Sequence, residues 1–547
     1  MADAFAFVLH GHLPYARNSG RWPHGEEWLH EAILGTYLPL ASTLLDLREA
    51  KVPYRLTIGL TPVLLEQLAD KDVIDRFEEY AADQLRRAED DVRRFADLGD
   101  YSFESLAARY VDHMTRILRV FRKTISRDLA GTFAALVRSG HLELLTSAAT
   151  HGYLPLLKRP DAIRAQLANG VAATRRHVGI DPGGIWLPEC AYAPGLERYL
   201  EEFRLTHFLV DAALLEGREA RETTAAPLVV HRPPRWASGD GTSDEVRYGE
   251  PGRADLLSPY LVGESRVAVV VRHPRVSGQV WSALHGYPGD GVYREFHRKD
   301  DVSGLRYWRV TDSSSGLDQK QPYDWDAAFD RTNSHAAHFV SLVRGELDEH
   351  RRATGRDGLL VAAFDLELFG HWWFEGVAWL GSALGRFAEE GLATTSLEAY
   401  LTQQPPREAT HIRRGSWGKN NDDSTWLNER TSWTWIELER AALKMEEIVT
   451  FAGRGPLQRR AVAQATRELL IAQASDWQFL ITTGQADEYA RERFRTHLLR
   501  FERCGEIART GEHEEDLRKI EQLDNPFPNV DWSPYAAEAR AAPMRSR

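Results

Sequence analysis

Residues 359–376 read LLVAAFDLELFGHWWFEG, an apolar run that stops at a carboxylate and continues into a group of aromatic residues. The part from Leu359 to Phe364 has the length and composition of a buried strand, and Asp365 follows it directly. The next residues include Glu367, His371 and adjacent tryptophans, which are side chains that bind polar ligands with apolar faces. We therefore predict a strand that delivers Asp365 to a functional site.

The same pattern of a short apolar run followed by a polar residue recurs along the chain. Six further runs have this form: Phe5 to Leu9, Tyr54 to Gly59, Leu142 to Leu145, Gly184 to Leu187, Phe208 to Val210 and Val267 to Val271. Helix-period segments such as 31–48 and 162–177 separate most of them, so the alternation predicts an α/β fold with a parallel sheet, and seven strands suit a barrel. A β/α barrel carries its active site at the carboxyl ends of its strands. The polar residues expected there are His10, Glu189, Asp211, Arg272 and Asp365.

Two regions and the C-terminal part depart from this rhythm. Residues 71–123 are dense in charge and helix formers and predict a helical insertion, so the barrel is assigned to 1–70 and 124–404. Residues 235–259 are rich in Gly, Asp and Ser without periodicity, which is typical of a lid-like loop. Amphipathic segments after Pro405 predict a helical C-terminal domain over 405–525, and 526–547 read as a tail.

Composition limits the class of protein. The 547 residues carry 68 Lys+Arg and 80 Asp+Glu, a net charge of −12, which argues against nucleic acid as a partner. No apolar run is long enough to span a membrane, and the first residues lack the basic start of a signal peptide, so we expect a cytoplasmic protein. The two cysteines, Cys190 and Cys504, offer no disulfide framework, and no nucleotide-binding, zinc-protease or serine-hydrolase motif occurs.

Two carboxylates in aromatic, strand-terminal settings are the main chemical signal. Glu189 follows Trp186-Leu187-Pro188, and Asp365 precedes the paired tryptophans. Glycoside cleavage needs such a pair, because one carboxylate attacks or stabilises the anomeric carbon while a second, protonated by burial, gives its proton to the leaving oxygen. A single carboxylate in a loop is more commonly a helix cap or part of a structural ion pair. The combination favours chemistry on sugars.

Histidines offer a different hypothesis. His10 and His12 occupy alternate positions of a strand and could form a metal pair, as a metal-dependent deacetylase would need, although further ligands are not evident nearby. His151 and His371 are better explained as neutral donors to sugar hydroxyls or to the carboxylates, and each histidine alone is also compatible with an ordinary core position.

Five ordered segments resemble the conserved regions of glycoside hydrolase family 57. They are HGHLPY (10–15), HLELLTSAATHGYLPLL (141–157), WLPECAY (186–192), FDLELFGHWWFEG (364–376) and SWGKNNDDSTWLN (416–428). The segments VWSALHGYPGD (280–290) and ASDWQFL (474–480) are similar to those of the family's 1,4-α-glucan branching enzymes. The resemblance covers about residues 5–500 and implies an incomplete (β/α)7 barrel with helical additions.

The resemblance also implies residue roles. Glu189 matches the nucleophile and Asp365 the general acid/base of a retaining mechanism that uses no metal and no other cofactor. Other positions are implied to bind the glucan: His10, His12, His151, Trp281, Trp417, Trp426, Asp476, Trp22, Trp28 and Trp372. A tyrosine on a mobile loop is implied to assist transfer, and Tyr248 and Tyr260 are the candidates here.

The expected activity is that of a 1,4-α-glucan branching enzyme, with α-1,4-glucan chains as donor and acceptor. A 4-α-glucanotransferase or an α-amylase of the same family is the alternative within the fold, and a non-catalytic glucan-binding protein is the alternative from another class. Chain length, branch spacing, the physiological polymer and the oligomeric state are left open by the sequence.

Overall fold

The computed structural model describes residues 3–20, 24–215, 255–282, 285–312 and 314–536, together with the backbone of 229–230 and 246–247. Its strands are β1 (Ala4–Gly11), β2 (Leu56–Leu60), β3 (Leu142–Leu145), β4 (Gly184–Ile185), β5 (His207–Asp211), β6 (Val229–Val230), β7 (Val246–Arg247), β8 (Tyr260–Val262), β9 (Ala268–Arg272), β10 (Leu359–Asp365), β11 (Ala393–Thr394) and β12 (Ala409–Thr410).

The helices precede, connect and follow these strands. They are α1 (Glu26–Ala32), α2 (Leu38–Glu49), α3 (Pro62–Ala69), α4 (Lys71–Asp97), α5 (Tyr101–Arg119), α6 (Leu129–Arg138), α7 (Pro160–Val178), α8 (Glu197–Glu202), α9 (Pro274–Trp281), α10 (Trp325–Thr354), α11 (Gly376–Glu389), α12 (Leu397–Gln403), α13 (Ser432–Val449), α14 (Pro456–Ala472), α15 (Asp476–Thr483), α16 (Asp487–Thr510) and α17 (Glu514–Leu523). A π-helical turn over Ile33–Tyr37 joins α1 to α2. Across the described ranges, no helix is both long and apolar enough to cross a membrane.

Seven of the described strands run parallel and form a nearly closed ring, in the order β1, β2, β3, β4, β5, β9 and β10, with β10 returning to β1. The ring is weakest at two joints, because β3 meets β4 only through the bridge Thr146–Ile185 and β9 meets β10 only at Val361–Arg272. The predicted (β/α)7 barrel is therefore confirmed, including its incomplete closure.

Alternation along the strands separates the barrel interior from its outer core. On β1, Phe5, Phe7 and Leu9 belong to the large cluster under the surrounding helices, whereas Ala4, Ala6 and Val8 belong to a small inner cluster with residues of β9 and β10. Successive side chains of a strand point to opposite faces, so this pattern is the expected one. The last inward-facing residue of each strand therefore lies at the mouth of the barrel.

One predicted strand is shorter than its sequence suggests. The run from Gly184 to Leu187 forms only the two-residue strand β4, after which Pro188–Cys190 makes a single 3₁₀ turn. Proline has no N–H for a strand ladder, so Pro188 suits the 3₁₀ turn that follows the strand.

The C-terminal helices share a core with the barrel. A second large apolar cluster joins β5 and β9 to α13, α14 and α16. Ser475, the residue before α15, lies against the segment that contains His151, and its backbone N–H donates to the His151 carbonyl at 3.1 Å. This packing brings residues far along the chain to the barrel mouth.

Candidate active site

The inner strand ends meet at one edge of the barrel. His10 on β1 stands in register with Asp365 on β10, and Asp211 on β5 stands in register with Arg272 on β9. Arg272 Nη2 lies 2.8 Å from Asp211 Oδ2, so these two residues form an ion pair. The ends of β1 and β10 therefore place His10 and Asp365 side by side at this edge. The ends of β5 and β9 place the ion pair of Asp211 and Arg272 at the same edge.

Glu189 lies on the sharp turn after β4. Its φ is 61° and that of Cys190 is 49°, both in the left-handed region that residues with a Cβ rarely adopt. Such backbone strain persists where surrounding contacts fix it and is concentrated at functional sites. Here the backbone N–H of Trp417 donates to the Glu189 carbonyl at 3.1 Å, which connects the turn to the 416–428 loop.

Two donors hold the Glu189 carboxylate. The Trp417 indole N–H donates to Oε2 at 3.0 Å, and the Ser475 hydroxyl donates to Oε1 at 2.8 Å. The side chain is 15% exposed. Burial raises the pKa of Glu189, and the hydrogen bonds from Trp417 and Ser475 partly offset that effect because they stabilise the ionised form.

Asp365 has a contrasting environment. Burial raises the pKa of Asp365 well above its usual range, and the charges of Glu367 and Glu189 raise it further, while Arg272 acts in the opposite direction. The Glu189 charge acts on Asp365, so the two carboxyl groups lie close enough to interact electrostatically. Glu189 thus has two hydrogen-bond donors that favour its ionised form, whereas the surroundings of Asp365 favour its protonated form.

Three histidines line the floor of this space. His10 Nε2 lies 3.0 Å from His151 Nε2, and the His10 ring stacks on Trp186 at 4.3 Å between centroids. The His12 and His151 rings stack at 3.9 Å. Burial lowers the pKa of His10 and of His151, and the neighbouring His12 lowers both further, so both rings are neutral at pH 7.

His12 connects the barrel to the C-terminal helices. Its Nε2 lies 2.9 Å from Asp476 Oδ2, at the start of α15, and its Nδ1 lies 3.0 Å from Thr61 Oγ1. Burial disfavours the charged ring, but the Asp476 carboxylate outweighs burial and raises the pKa of His12. The side-chain atoms of His12, His151 and Asp476 that could ligate a metal ion all lie within 4.8 Å of one another. These three residues therefore have the spacing for an ion, in place of the pair His10 and His12 considered from the sequence.

Glu367 was not assigned a role from the sequence. Its Oε1 accepts the His12 backbone N–H at 3.0 Å and the Tyr37 hydroxyl. Burial raises the pKa of Glu367 to about 7, although the Tyr37 hydrogen bond lowers it. The motif around Asp365 contains Glu367, but only the fold shows that Glu367 contacts His12, just after β1, and Tyr37 in the π-helical turn.

Ser475 was also missed, although it precedes Asp476 in the ASDWQFL segment. Its hydroxyl lies 3.1 Å from His151 Nδ1 and donates to Glu189, so it joins two of the implied site residues. Its position next to Asp476 is the one feature of the sequence that points to this contact.

The two tryptophans of the 416–428 loop have different positions. Trp417 is partly buried, bonds Glu189 and packs edge-on against Trp186 at 5.2 Å. The expectation that Trp426 forms an aromatic wall is wrong, because Trp426 is only 1% exposed and packs against Tyr153 beneath Gly418. A Cβ on Gly418 would lie 2.6 Å from the Trp426 ring, so the loop backbone covers that ring.

The remaining aromatic candidates are spread over the rim. Trp28 is partly buried and meets Tyr489 of α16 at 5.7 Å, Trp372 packs on Phe296 at 4.4 Å, and Trp281 ends α9 in a partly buried position.

Of the loop tyrosines, Tyr260 does not fit a mobile role. It is 6% exposed on β8, and its hydroxyl donates to the Asp255 carbonyl and accepts the Asp255 N–H, each at 3.0 Å. Tyr248 and Trp22 lie outside the described residues, as does most of the predicted lid-like loop.

Comparison with known proteins places this site in a family. The family model described as "Glycosyl hydrolase family 57" matches residues 6–412, and the model "1,4-alpha-glucan branching enzyme, C-terminal" matches residues 437–535. The chain is 43% identical to the 1,4-alpha-glucan branching enzyme of Thermococcus kodakarensis, across 98% of this chain and 79% of that protein. It is 32% identical to a probable 1,4-alpha-glucan branching enzyme of Mycobacterium tuberculosis, across 90% of each.

Solved structures agree with the sequence comparison. The crystal structure of the Thermococcus kodakaraensis family 57 branching enzyme superimposes with a TM-score of 0.89 at 42% identity, covering 98% of this chain and 97% of that one. The branching enzyme of Pyrococcus horikoshii gives 0.86 at 35% identity, with 100% and 98% covered. An α-amylase of Thermotoga maritima gives 0.81 at 30% identity, with 98% and 99% covered. The chain therefore belongs to glycosyl hydrolase family 57.

Proposed function

We propose that this protein is a 1,4-α-glucan branching enzyme, which cleaves an α-1,4 bond and transfers the released chain to a 6-hydroxyl. The observation that carries the proposal is a pair of interacting carboxyl groups: Glu189 accepts two hydrogen bonds that favour its ionised form, and the surroundings of Asp365 raise the pKa of that carboxyl strongly. The similarity to branching enzymes over nearly the whole chain, including the C-terminal match, supports the choice of activity.

The chemistry follows from these environments. In the first step the Glu189 carboxylate attacks C1 of the donor glucose, the C1–O bond breaks, and the Asp365 proton goes to the departing 4-oxygen. In the second step the Asp365 carboxylate takes the proton of an acceptor 6-hydroxyl, whose oxygen attacks C1 and releases Glu189. Two inversions give net retention at C1.

Neutral His10 and His151 would supply hydrogen bonds to the hydroxyls of the bound glucose, and Asp476 would hold His12 in place for the same purpose. Trp417 has a double role in this scheme, since it bonds Glu189 and presents a partly exposed ring beside it. We propose that the protein acts in the synthesis of glycogen or a related glucan and that it is located in the cytoplasm.

Incubation with amylose tests the proposal. We expect new α-1,6 linkages in the product, counted by NMR, and loss of nearly all turnover in Glu189→Gln and Asp365→Asn. Shortened linear chains without branches would favour an α-amylase, which the similarity to the Thermotoga maritima α-amylase keeps as the second candidate. Glucan binding without turnover in the parent protein, unchanged in Glu189→Gln, would indicate a glucan-binding protein without catalysis.

A further inference from the structure

Glu31 on α1 carries a carboxylate that is surrounded by basic groups but not bonded by them. Arg306 Nη2 and Lys299 Nζ each lie 3.9 Å from its Oε1, and His371 Nδ1 lies 3.9 Å from its Oε2. Within the described ranges no hydrogen bond reaches this carboxylate, and its side chain is 18% exposed. A solvent-accessible acceptor with nearby donors is therefore available to a ligand.

A structural ion pair on the same helix has a different geometry. Glu26 receives two hydrogen bonds from Arg76, both at 2.7 Å. This bidentate contact is the arrangement expected when a carboxylate and an arginine stabilise the fold. The spacing around Glu31 is about one ångström longer, so a hydroxyl group that approaches from the side could contact the carboxylate and a neighbouring basic group together.

Flat aromatic side chains adjoin these charges. The Phe296 ring packs against Trp372 at 4.4 Å and against the Arg306 guanidinium at 4.6 Å, and the His371 and Trp372 rings meet at 4.6 Å. Trp372 and Phe296 are partly buried. A sugar ring has apolar faces and hydroxyls along its edge, so it suits a site with rings on one side and charged donors and acceptors on the other.

The group lies on the catalytic side of the barrel. His371 follows Asp365 by six residues, in the loop that leaves the carboxyl end of β10. This loop is fixed to the π-helical turn, where the His371 N–H donates to Thr36 Oγ1 at 3.1 Å and a Cβ on Gly35 would lie only 3.2 Å from the Gly370 carbonyl. The close backbone approach holds α1, and thus Glu31, beside the loop.

The protonation states suit hydroxyl binding. Burial alone would raise the pKa of Glu31, but Arg306 and the other basic groups outweigh burial and lower it, so the carboxylate is ionised at pH 7. Burial lowers the pKa of His371 to about 4, so its ring is neutral and can either donate or accept.

We propose that these side chains form a subsite that binds a glucose unit of an α-glucan chain away from the bond that is cleaved. The subsite consists of Glu31, Lys299, Arg306 and His371, with Phe296 and Trp372 as its apolar surface. The inference rests on the proposed function, because it names a further binding position for the same substrate.

Calorimetric titration in a Glu189→Gln background tests the subsite. Maltoheptaose is the long probe and maltotriose the short one, and the variants are Glu31→Gln and Lys299→Met. Lys299 is 46% exposed, so its replacement leaves the fold intact even if Glu31→Gln disturbs it. Glu89→Gln, the same charge change at an exposed position of α4, is the matched control.

We expect each variant to bind maltoheptaose about tenfold more weakly, as loss of a charge-assisted hydrogen bond predicts, while maltotriose binding and the Glu89→Gln control change less than twofold. Maltoheptaose affinity within twofold of the parent in both variants, or equal losses for both probes, would overturn the subsite. The proposed function is judged separately, by whether the protein with Glu189 intact introduces α-1,6 linkages into amylose.

Discussion

Replacing Trp417 by Phe removes one hydrogen bond from the Glu189 carboxylate and keeps an aromatic ring in place. The bond lost is the 3.0 Å contact from the indole N–H to Oε2. A hydrogen bond to a charged group contributes about 1.5–3 kcal/mol, and one pKa unit corresponds to about 1.4 kcal/mol. The pKa of Glu189 should therefore rise by about one to two units in Trp417→Phe.

The direction of the effect on activity follows from the role proposed for Glu189. A nucleophilic carboxylate must be ionised, so the acidic limb of the kcat/KM profile reports the apparent pKa of the carboxyl pair in the free enzyme. Trp417→Phe should move this limb to higher pH by about one to two units. Activity should fall most below neutral pH and least near the optimum.

The assay is branching of amylose measured across the pH range for the parent and three variants. Ser475→Ala removes the other donor to Glu189 and should move the same limb in the same direction. Trp433→Phe is the matched control, because its indole N–H donates to the Arg430 carbonyl instead. An acidic limb that stays in place in both Trp417→Phe and Ser475→Ala, in folded protein, would refute this account of how Glu189 is kept ionised.

Three other outcomes are expected. Glu367→Gln removes a charge that raises the pKa of Asp365, so the basic limb of the kcat/KM profile should move to lower pH, and an unmoved limb would contradict that coupling. Glu143→Gln breaks the buried 2.6 Å contact with His207 and should cost about 3–5 kcal/mol in the free energy of unfolding, measured with guanidinium. Burial alone would raise the pKa of Glu143, but His207 outweighs it and lowers that pKa, so this stability is present at neutral pH and is lost as the pH falls through the Glu143 titration. Trp426→Ala should cost about 3–5 kcal/mol by leaving a cavity, and an unchanged denaturation midpoint would contradict the buried position.

Much of the barrel could be predicted because strand runs are local features. Each of the seven runs contains its own apolar residues and ends at its own polar residue, so Asp365 and His10 could be placed at strand ends without knowledge of their neighbours. The exception is the run from Gly184 to Leu187, of which only Gly184 and Ile185 form a strand before the turn at Pro188. Ring closure involves pairs such as Val361–Arg272, which depend on twist and packing and leave no trace in either segment.

The aromatic residues show where local reading fails. Trp417 and Trp426 belong to one motif and have similar polar neighbours, yet one bonds Glu189 and the other is covered by Gly418. The composition of a loop does not determine which side of it faces solvent, because that depends on the surface against which the loop packs. Tyr260 is a similar case, since only the pairing of β8 with β9 explains its burial.

The seven strand runs, the two candidate carboxyl groups and the family could be recognised from the order of residues, because periodicity and motif order are properties of the chain alone. The surroundings of those carboxyl groups depend on the packing of distant segments. The Ser475 hydroxyl reaches Glu189 across 286 positions of sequence, and Asp476 reaches His12 across 464. These contacts exist because α15 packs against the barrel mouth through a shared apolar core, and the protonation of a buried group depends on every charge and donor that such packing places around it.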